Sequence, residues 1–261
     1  MIKTKVIGRV FRQDEIADQI YDMWIETELA QGARPGQFVC VYTKNAAALL
    51  PRPISICEVN EEKTMLRLVY RTVGTGTNEF ADYHAGTEIS LLGPLGNGFP
   101  VEKAAGKRVF LIGGGIGIPL MLQLSKEIKK AGQAYCELSV LGYRNELFLN
   151  TDLEKYSQVY VATEDGSAGT KGTVLDAIKE KGLSGDVIFA CGPMPMLRAI
   201  KEYAAANNME AYISLEEHMA CGVGACLGCV CKTKNVDAHS HVHNSRICTD
   251  GPVYNAEEVE I

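Results

Sequence analysis

Up to about residue 100 the chain alternates apolar and polar positions in short runs, at residues 5–11, 19–28, 37–43, 54–59, 65–71 and 87–92. Gly, Pro, Asn and Asp separate these runs. A period of two puts one face of each run into a core, and the turn residues force reversals, so the pattern predicts an antiparallel β-barrel. Beyond residue 107 the rhythm changes. Compact apolar runs at 109–112, 138–143, 159–162 and 187–190 alternate with helical periodicity at 121–131, 146–156, 174–181 and 195–207. That order predicts a parallel sheet with helices on both faces. From Leu215 onward the texture changes again, to a cysteine-rich segment. The fold expected is therefore multi-domain, β plus α/β, with an N-terminal antiparallel barrel at 1–101, a central parallel α/β nucleotide-binding domain at 102–212 and a C-terminal module at 213–261.

At 261 residues and 46% hydrophobic composition the chain can bury more than one core. Its net charge of -6, with no basic cluster to offset it, argues against nucleic acid as a partner. No apolar run approaches the roughly 20 residues that span a bilayer. No charged-then-apolar segment begins at Met1, so a soluble, cytoplasmic protein is expected and a disulfide framework is not.

The C-terminal segment carries the strongest chemistry. Cys221, Cys226 and Cys229 are separated by four and then two residues, and Cys248 arrives from a distance. This is the plant-type spacing of a 2Fe-2S centre. Glycines at 222, 224 and 228 suit a loop that wraps inorganic sulfide and aims N–H groups at it. Zinc is the competing ligand, although its sites are usually built from two short Cys-x-x-Cys knuckles set far apart. Cys231 reads as a strand residue beyond the loop. His239, His241 and His243 alternate on an extended segment, which reads as a solvated hairpin rather than a ligand set. His218 stands beside a run that already has four suitable cysteines.

Three loops suit anions. Gly113, Gly114, Gly115 and Gly117 follow an apolar strand and open a helix, so bare N–H groups could meet a pyrophosphate; a tight turn without a ligand is the other reading. Ile118 stands where the dinucleotide fingerprint has its third glycine, and no acidic residue closes the next strand convincingly. Cys191, Gly192 and Pro193 end the last parallel strand and should face the same crevice, with Cys191 either near a nicotinamide or simply a small buried residue. In the barrel, Arg52, Pro53, Ile54 and Ser55 pair a guanidinium with a hydroxyl, a set suited to a diphosphate and a flavin edge, or else to closing a turn. Tyr70 and Arg71 lead to Gly74, Gly76 and Thr77, with Thr77 placed to cap a short helix. Tyr70 is either core or a stacking surface for a ring. Arg144, after the second α/β strand, is either solvated or a 2′-phosphate partner, so NADH and NADPH are not separated.

In this order the motifs resemble the ferredoxin reductase superfamily. The run from Met219 to Cys231 resembles in particular that of the electron-transfer subunits of type B dihydroorotate dehydrogenases. The resemblance covers essentially the whole chain. It implies FAD on the barrel, held at Arg52, Pro53, Ile54, Ser55, Val69, Tyr70, Arg71, Gly76 and Thr77. It also implies NAD(H) at the α/β domain, and a 2Fe-2S cluster on Cys221, Cys226, Cys229 and Cys248. The partner it implies is a separate FMN-containing catalytic subunit that oxidises dihydroorotate, assembled as two of each chain. Residues 234–245 form a long, histidine-bearing insertion before Cys248. Two rival readings are a related flavin/iron-sulfur subunit of a sulfide dehydrogenase or transhydrogenase, and a zinc-stabilised NAD-sensing regulator.

Overall fold

Six strands close into an antiparallel barrel in the order β1-β2-β5-β4-β3-β6. They are β1 (Thr4–Ala17), β2 (Ile20–Glu26), β3 (Phe38–Tyr42), β4 (Arg52–Val59), β5 (Met65–Arg71) and β6 (Glu88–Leu95), with the helix α1 (Thr75–Ala81) between β5 and β6. The computed structural model describes residues 4–237 and 241–261. Val39, Val41, Ile56, Leu66, Leu68 and Leu91 fill the barrel, each nearly inaccessible to water. The predicted alternation thus sets which face of each strand turns inward.

The chain then alternates β7 (Arg108–Gly114), α2 (Pro119–Ala131), β8 (Cys136–Tyr143), α3 (Asn150–Leu153), β9 (Gln158–Thr163), β10 (Thr170–Lys171), α4 (Val174–Glu180), β11 (Val187–Cys191), α5 (Met194–Ala206) and β12 (Glu210–Ser214). Helix boundaries follow local chemistry. Pro119 opens α2, Gly132 closes it at φ +63°, and Thr173 caps α4 reciprocally with Asp176. One helix is much shorter than expected. The periodicity at 146–156 yields only the single turn of α3, because Leu149 takes φ +60° and Phe148 and Leu149 are drawn into the core. Glu146 meanwhile accepts a hydrogen bond from the Asp18 N–H at 3.0 Å, which ties the loop to the barrel.

The last segment carries a hairpin of β13 (Val230–Lys232) and β14 (Asn244–Arg246), then β15 (Val253–Asn255). The second sheet runs β10-β9-β8-β7-β11-β12-β15, parallel throughout except where β15 joins β12 antiparallel. The cysteine segment is therefore clamped at both ends. Leu215 N–H donates to Pro252 O at 2.9 Å, and on the barrel side Asn97 N–H donates to Gly251 O at 2.6 Å. Cys231 lies in β13 opposite Ser245.

Barrel and sheet share buried contacts. The side-chain oxygen of Gln123 on α2 accepts from Val59 N–H at 2.8 Å, capping the end of β4. Arg67 on β5 holds Asp22 at 2.8 Å and Asp152 of α3 at 3.0 Å. Phe99 meets Phe189 edge-on at 5.6 Å, closing the seam beneath the crevice.

Candidate functional site

Four of the five cysteines of the C-terminal segment come together as two neighbouring pairs. Cys226 donates its N–H to Cys221 Sγ, and Cys229 and Cys248 pack in one buried cluster, with Ile247 N–H donating to Cys229 O at 2.9 Å. Positive φ at Gly222, Gly224 and Leu227 coils the loop tightly. That coil turns N–H groups toward sulfur: Val223 and Cys226 donate to Cys221 Sγ, and Gly228 to Cys226 Sγ, each at 3.4 Å. Burial raises the Cys221 pKa, but these donors outweigh it and bring the thiol down to about 6. Burial, reinforced by the Cys229 thiol, pushes Cys248 up to about 12. The loop therefore offers a thiolate already stabilised by donors at one end and a fully buried thiol at the other. Cys226 is exposed, and Val223, Leu227 and Val230 stand out around it at 41%, 47% and 36% exposure. Among the described residues no three His, Cys, Asp or Glu side chains converge as they would on a single ion.

Sequence reasoning missed a thiol that the barrel brings here. Cys40 of β3 is wholly buried against this loop, and a Cβ added at Gly222 would sit 2.9 Å from its Sγ. Local spacing carries no signal for Cys40, which reaches the loop only through the barrel's closure. His241, at φ +57°, breaks the alternation expected of the histidines, while His243 Nδ1 pairs with Lys234 O at 2.9 Å. The β13–β14 hairpin itself is present; His239 lies outside the described residues.

The barrel's two anion-friendly loops meet. A Cβ at Gly76 would lie 2.1 Å from Arg52 Nε, so the guanidinium of β4 rests flat on the backbone of α1. Thr77 Oγ1 accepts from Val73 N–H at 2.9 Å and Gly74 N–H at 3.3 Å, closing the loop from within the first turn. Ser55 is half-buried on β4, and its hydroxyl has no protein partner among the described residues. Tyr70 is different. Its ring stacks on Tyr21 at 5.8 Å and its hydroxyl donates to Gln13 at 2.8 Å, so the side chain belongs to the barrel core and only its backbone is left at the strand end. Val69 is buried likewise, while Arg71 is exposed. Arg71 and Arg144 line one cleft of about 270 Å³ between barrel and sheet, with Tyr143 and Glu146.

In the sheet, Cys191 pairs in register with Gly113, which sets the two predicted loops side by side. Three of the glycines there are explained by packing. A Cβ at Gly113, Gly114 or Gly117 would strike Ile118, Met196 or the Cys191 carbonyl at 2.8, 2.6 and 2.4 Å. Gly192 meets the backbone of Gly114, whereas Gly115, at φ +51°, faces open space. Pro193 sets the start of α5. Burial raises the pKa of Cys191 well above the ordinary thiol value, and its Sγ lies 4.0 Å from a Glu216 carboxylate oxygen.

Comparison with known proteins agrees with this geometry. Residues 216–260 match the iron-sulfur cluster binding domain of dihydroorotate dehydrogenase B. The electron transfer subunit of dihydroorotate dehydrogenase B (NAD(+)) from Geobacillus sp. (strain WCH70) is 42% identical over 255 residues, 96% of each chain. Its counterpart from Listeria monocytogenes serovar 1/2a is 40% identical over the full length of both chains. Among solved structures, one reported for an NADH-dependent reduced ferredoxin-NADP oxidoreductase superposes with TM-score 0.86 at 29% identity, covering 98% of this chain and 90% of its own. A ferredoxin NADP+ reductase from Neisseria gonorrhoeae, at 16% identity and TM-score 0.66 over 78% of this chain and 91% of its own, shares the fold. With relatives matched from end to end at this identity, the chain belongs to the family of dihydroorotate dehydrogenase B (NAD(+)) electron transfer subunits.

Proposed function

We propose that Cys221, Cys226, Cys229 and Cys248 hold the family's 2Fe-2S cluster, that Arg52, Ser55 and the Gly76–Thr77 turn hold FAD, and that the crevice between Gly115 and Cys191 receives NAD(H). The pairing of the four thiols carries this reading. A cluster of two irons takes two thiolates on each, and the chain brings Cys226 to Cys221 through an N–H···Sγ bond and packs Cys229 with Cys248. The flavin fits the barrel for a separate reason: an unpartnered Ser55 hydroxyl and the Arg52 guanidinium, laid over Gly76 and bonded to the Leu50 carbonyl, set donors on one strand.

When bound, the flavin supplies the ability to exchange electron pairs with a nicotinamide and single electrons with a cluster. The residues do the rest. Arg52 balances diphosphate charge, Ser55 donates to the ring edge, and the N–H groups of Val223, Cys226 and Gly228 set the charge that the sulfurs can carry. The relatives matched from end to end are named as electron transfer subunits, which supports a partner that oxidises the organic substrate. We assign that role to an FMN-containing dihydroorotate dehydrogenase subunit, two of each chain per assembly, with electrons leaving as NADH. Likeness to an NADH-dependent reduced ferredoxin-NADP oxidoreductase keeps a transhydrogenase-type partner as the second reading.

The test is spectroscopic. The purified chain should show flavin and iron-sulfur absorbance bleached by NADH, without oxidising dihydroorotate alone, and Cys226→Ser should lose the iron-sulfur bands while keeping flavin. A variant that retains full cluster absorbance would remove Cys226 from the ligand set; a colourless, zinc-loaded chain would end the reading.

A further inference from the structure

The cysteine loop does not face open solvent on all sides; it rests on the barrel through a thiol. Cys40 lies on β3, opposite Pro53 of β4 and Leu92 of β6. Its side chain is fully buried and points at the cysteine loop rather than into the barrel's own core, because Phe38, Cys40, Leu92 and Leu95 pack in one cluster with Cys229, Ile247 and Cys248. Gly222 is wedged there. A Cβ at that position would meet Cys40 Sγ at 2.9 Å and a Leu95 methyl at 3.1 Å. Cys229 and Cys248, two of the four proposed ligands, therefore share a buried cluster with Cys40, and Gly222 brings the backbone next to Cys221 against its sulfur.

Packing alone would be served by any small apolar side chain. A thiol adds a weak S–H donor and a polarizable atom beside sulfurs that gain negative charge on reduction. Cys40 also touches the other side. Its register partner Pro53 sits in the Arg52–Ser55 stretch, so one residue abuts both the proposed flavin strand and the cluster loop.

We infer that Cys40 is a positioning residue for the cluster: its side chain seats the loop at Gly222 against the barrel, and its S–H contributes to the reduction potential without ligating iron. This rests on the assignment of the four cysteines above. A group that donates more strongly than S–H stabilises the reduced, more negative cluster and raises the potential, and removing the donor lowers it.

The experiment uses the full chain with its FAD, as Cys40→Ser and Cys40→Ala. Both side chains are smaller than cysteine and nearly equal in size, and they differ in carrying or lacking a donor. Iron, acid-labile sulfide and FAD contents should equal those of the parent, and an EPR-monitored redox titration should move the cluster midpoint upward in Cys40→Ser and downward in Cys40→Ala. A purely space-filling role would move both midpoints the same way. Identical midpoints and g-values in parent and iron-loaded variants would overturn this inference alone. Iron loss from both variants with FAD retained would also overturn it, since Cys40 would then be a ligand. Absence of iron from the parent would overturn the cluster assignment beneath it.

Discussion

A single carboxyl shows how burial writes a pH response into the α/β unit. Glu137 on β8 is half-buried, receives a hydrogen bond from Ser125 Oγ at 3.2 Å, and is held by desolvation at about 7 instead of 4.5. The native state therefore binds a proton that the unfolded chain has already released between those values. Its contribution to stability is full below pH 4.5 and lost as pH rises through about 7. The whole shift would amount to about 3 kcal/mol, and solvent screening at a half-exposed group reduces the expected effect to about 1 kcal/mol. Glutamine imitates the protonated form. Thermal melts of Glu137→Gln should match the parent at pH 5 and exceed it by about 2 °C at pH 8, and a gap that does not change with pH would show that the native carboxyl is not protonated. The candidate site's residues differ in how legible they were. Cys221, Cys226 and Cys229 stood out because their function demands a local spacing, whereas Cys40 reaches the same sulfurs only by long-range closure. Tyr70 shows the opposite limit: a strand-end aromatic reads alike whether it faces a ligand or, as here, a core.

At the scale of elements, strands were readable where one face is buried over several residues, as in the first half of β1, because alternation there is a direct consequence of the pleat, whereas β3 and β5 are buried on both faces. The one-turn α3 was not, since helical spacing between 146 and 156 competes with contacts that no local pattern records: the loop's bond to Asp18 and the burial of Phe148 and Leu149. β15 was equally invisible, three residues whose strand geometry comes from pairing with β12. Short elements of this kind are held by interactions between elements, and Arg67 is the clearest case. It joins β5 to Asp22 on β2, to Glu58 on β4 at 3.2 Å and to Asp152 on α3, with Asp22 only 4% exposed. Removing the cation strands a buried carboxylate, which typically costs about 3–5 kcal/mol. Arg67→Met should accordingly lower stability by about that amount in urea unfolding, and Arg67→Met with Asp22→Leu should recover much of it. If the double variant is no better than the single one, shape rather than charge explains the loss.

For the molecule as a whole, three textures along the sequence gave the barrel, the sheet and the cysteine segment in order, but not their interlocking. The cysteine segment is tied to the barrel at Asn97 and to the sheet through β15, so the cluster loop is held between the two larger units with one edge left outward. That edge carries the exposed Cys226, with Val223, Leu227 and Val230 of the same loop also exposed, and under the proposed function it is where electrons would cross to another chain. Among the described residues no helix is long and apolar enough to cross a membrane. A catalytic partner seated on this edge would bury Leu227 near the centre of the contact. Leu227 also has φ +55°, which Asp tolerates better than most side chains, so Leu227→Asp can add a charge without refolding the loop. Iron, FAD and bleaching by NADH should be unchanged in the isolated variant. Its affinity for the proposed FMN-containing subunit, measured by calorimetry, should fall at least tenfold, the weakening that corresponds to about 1.4 kcal/mol at an interface hot spot. Unchanged affinity would move the docking face away from the cluster edge, and electrons would then have to leave through the buried side of the loop, past Cys40 and the barrel.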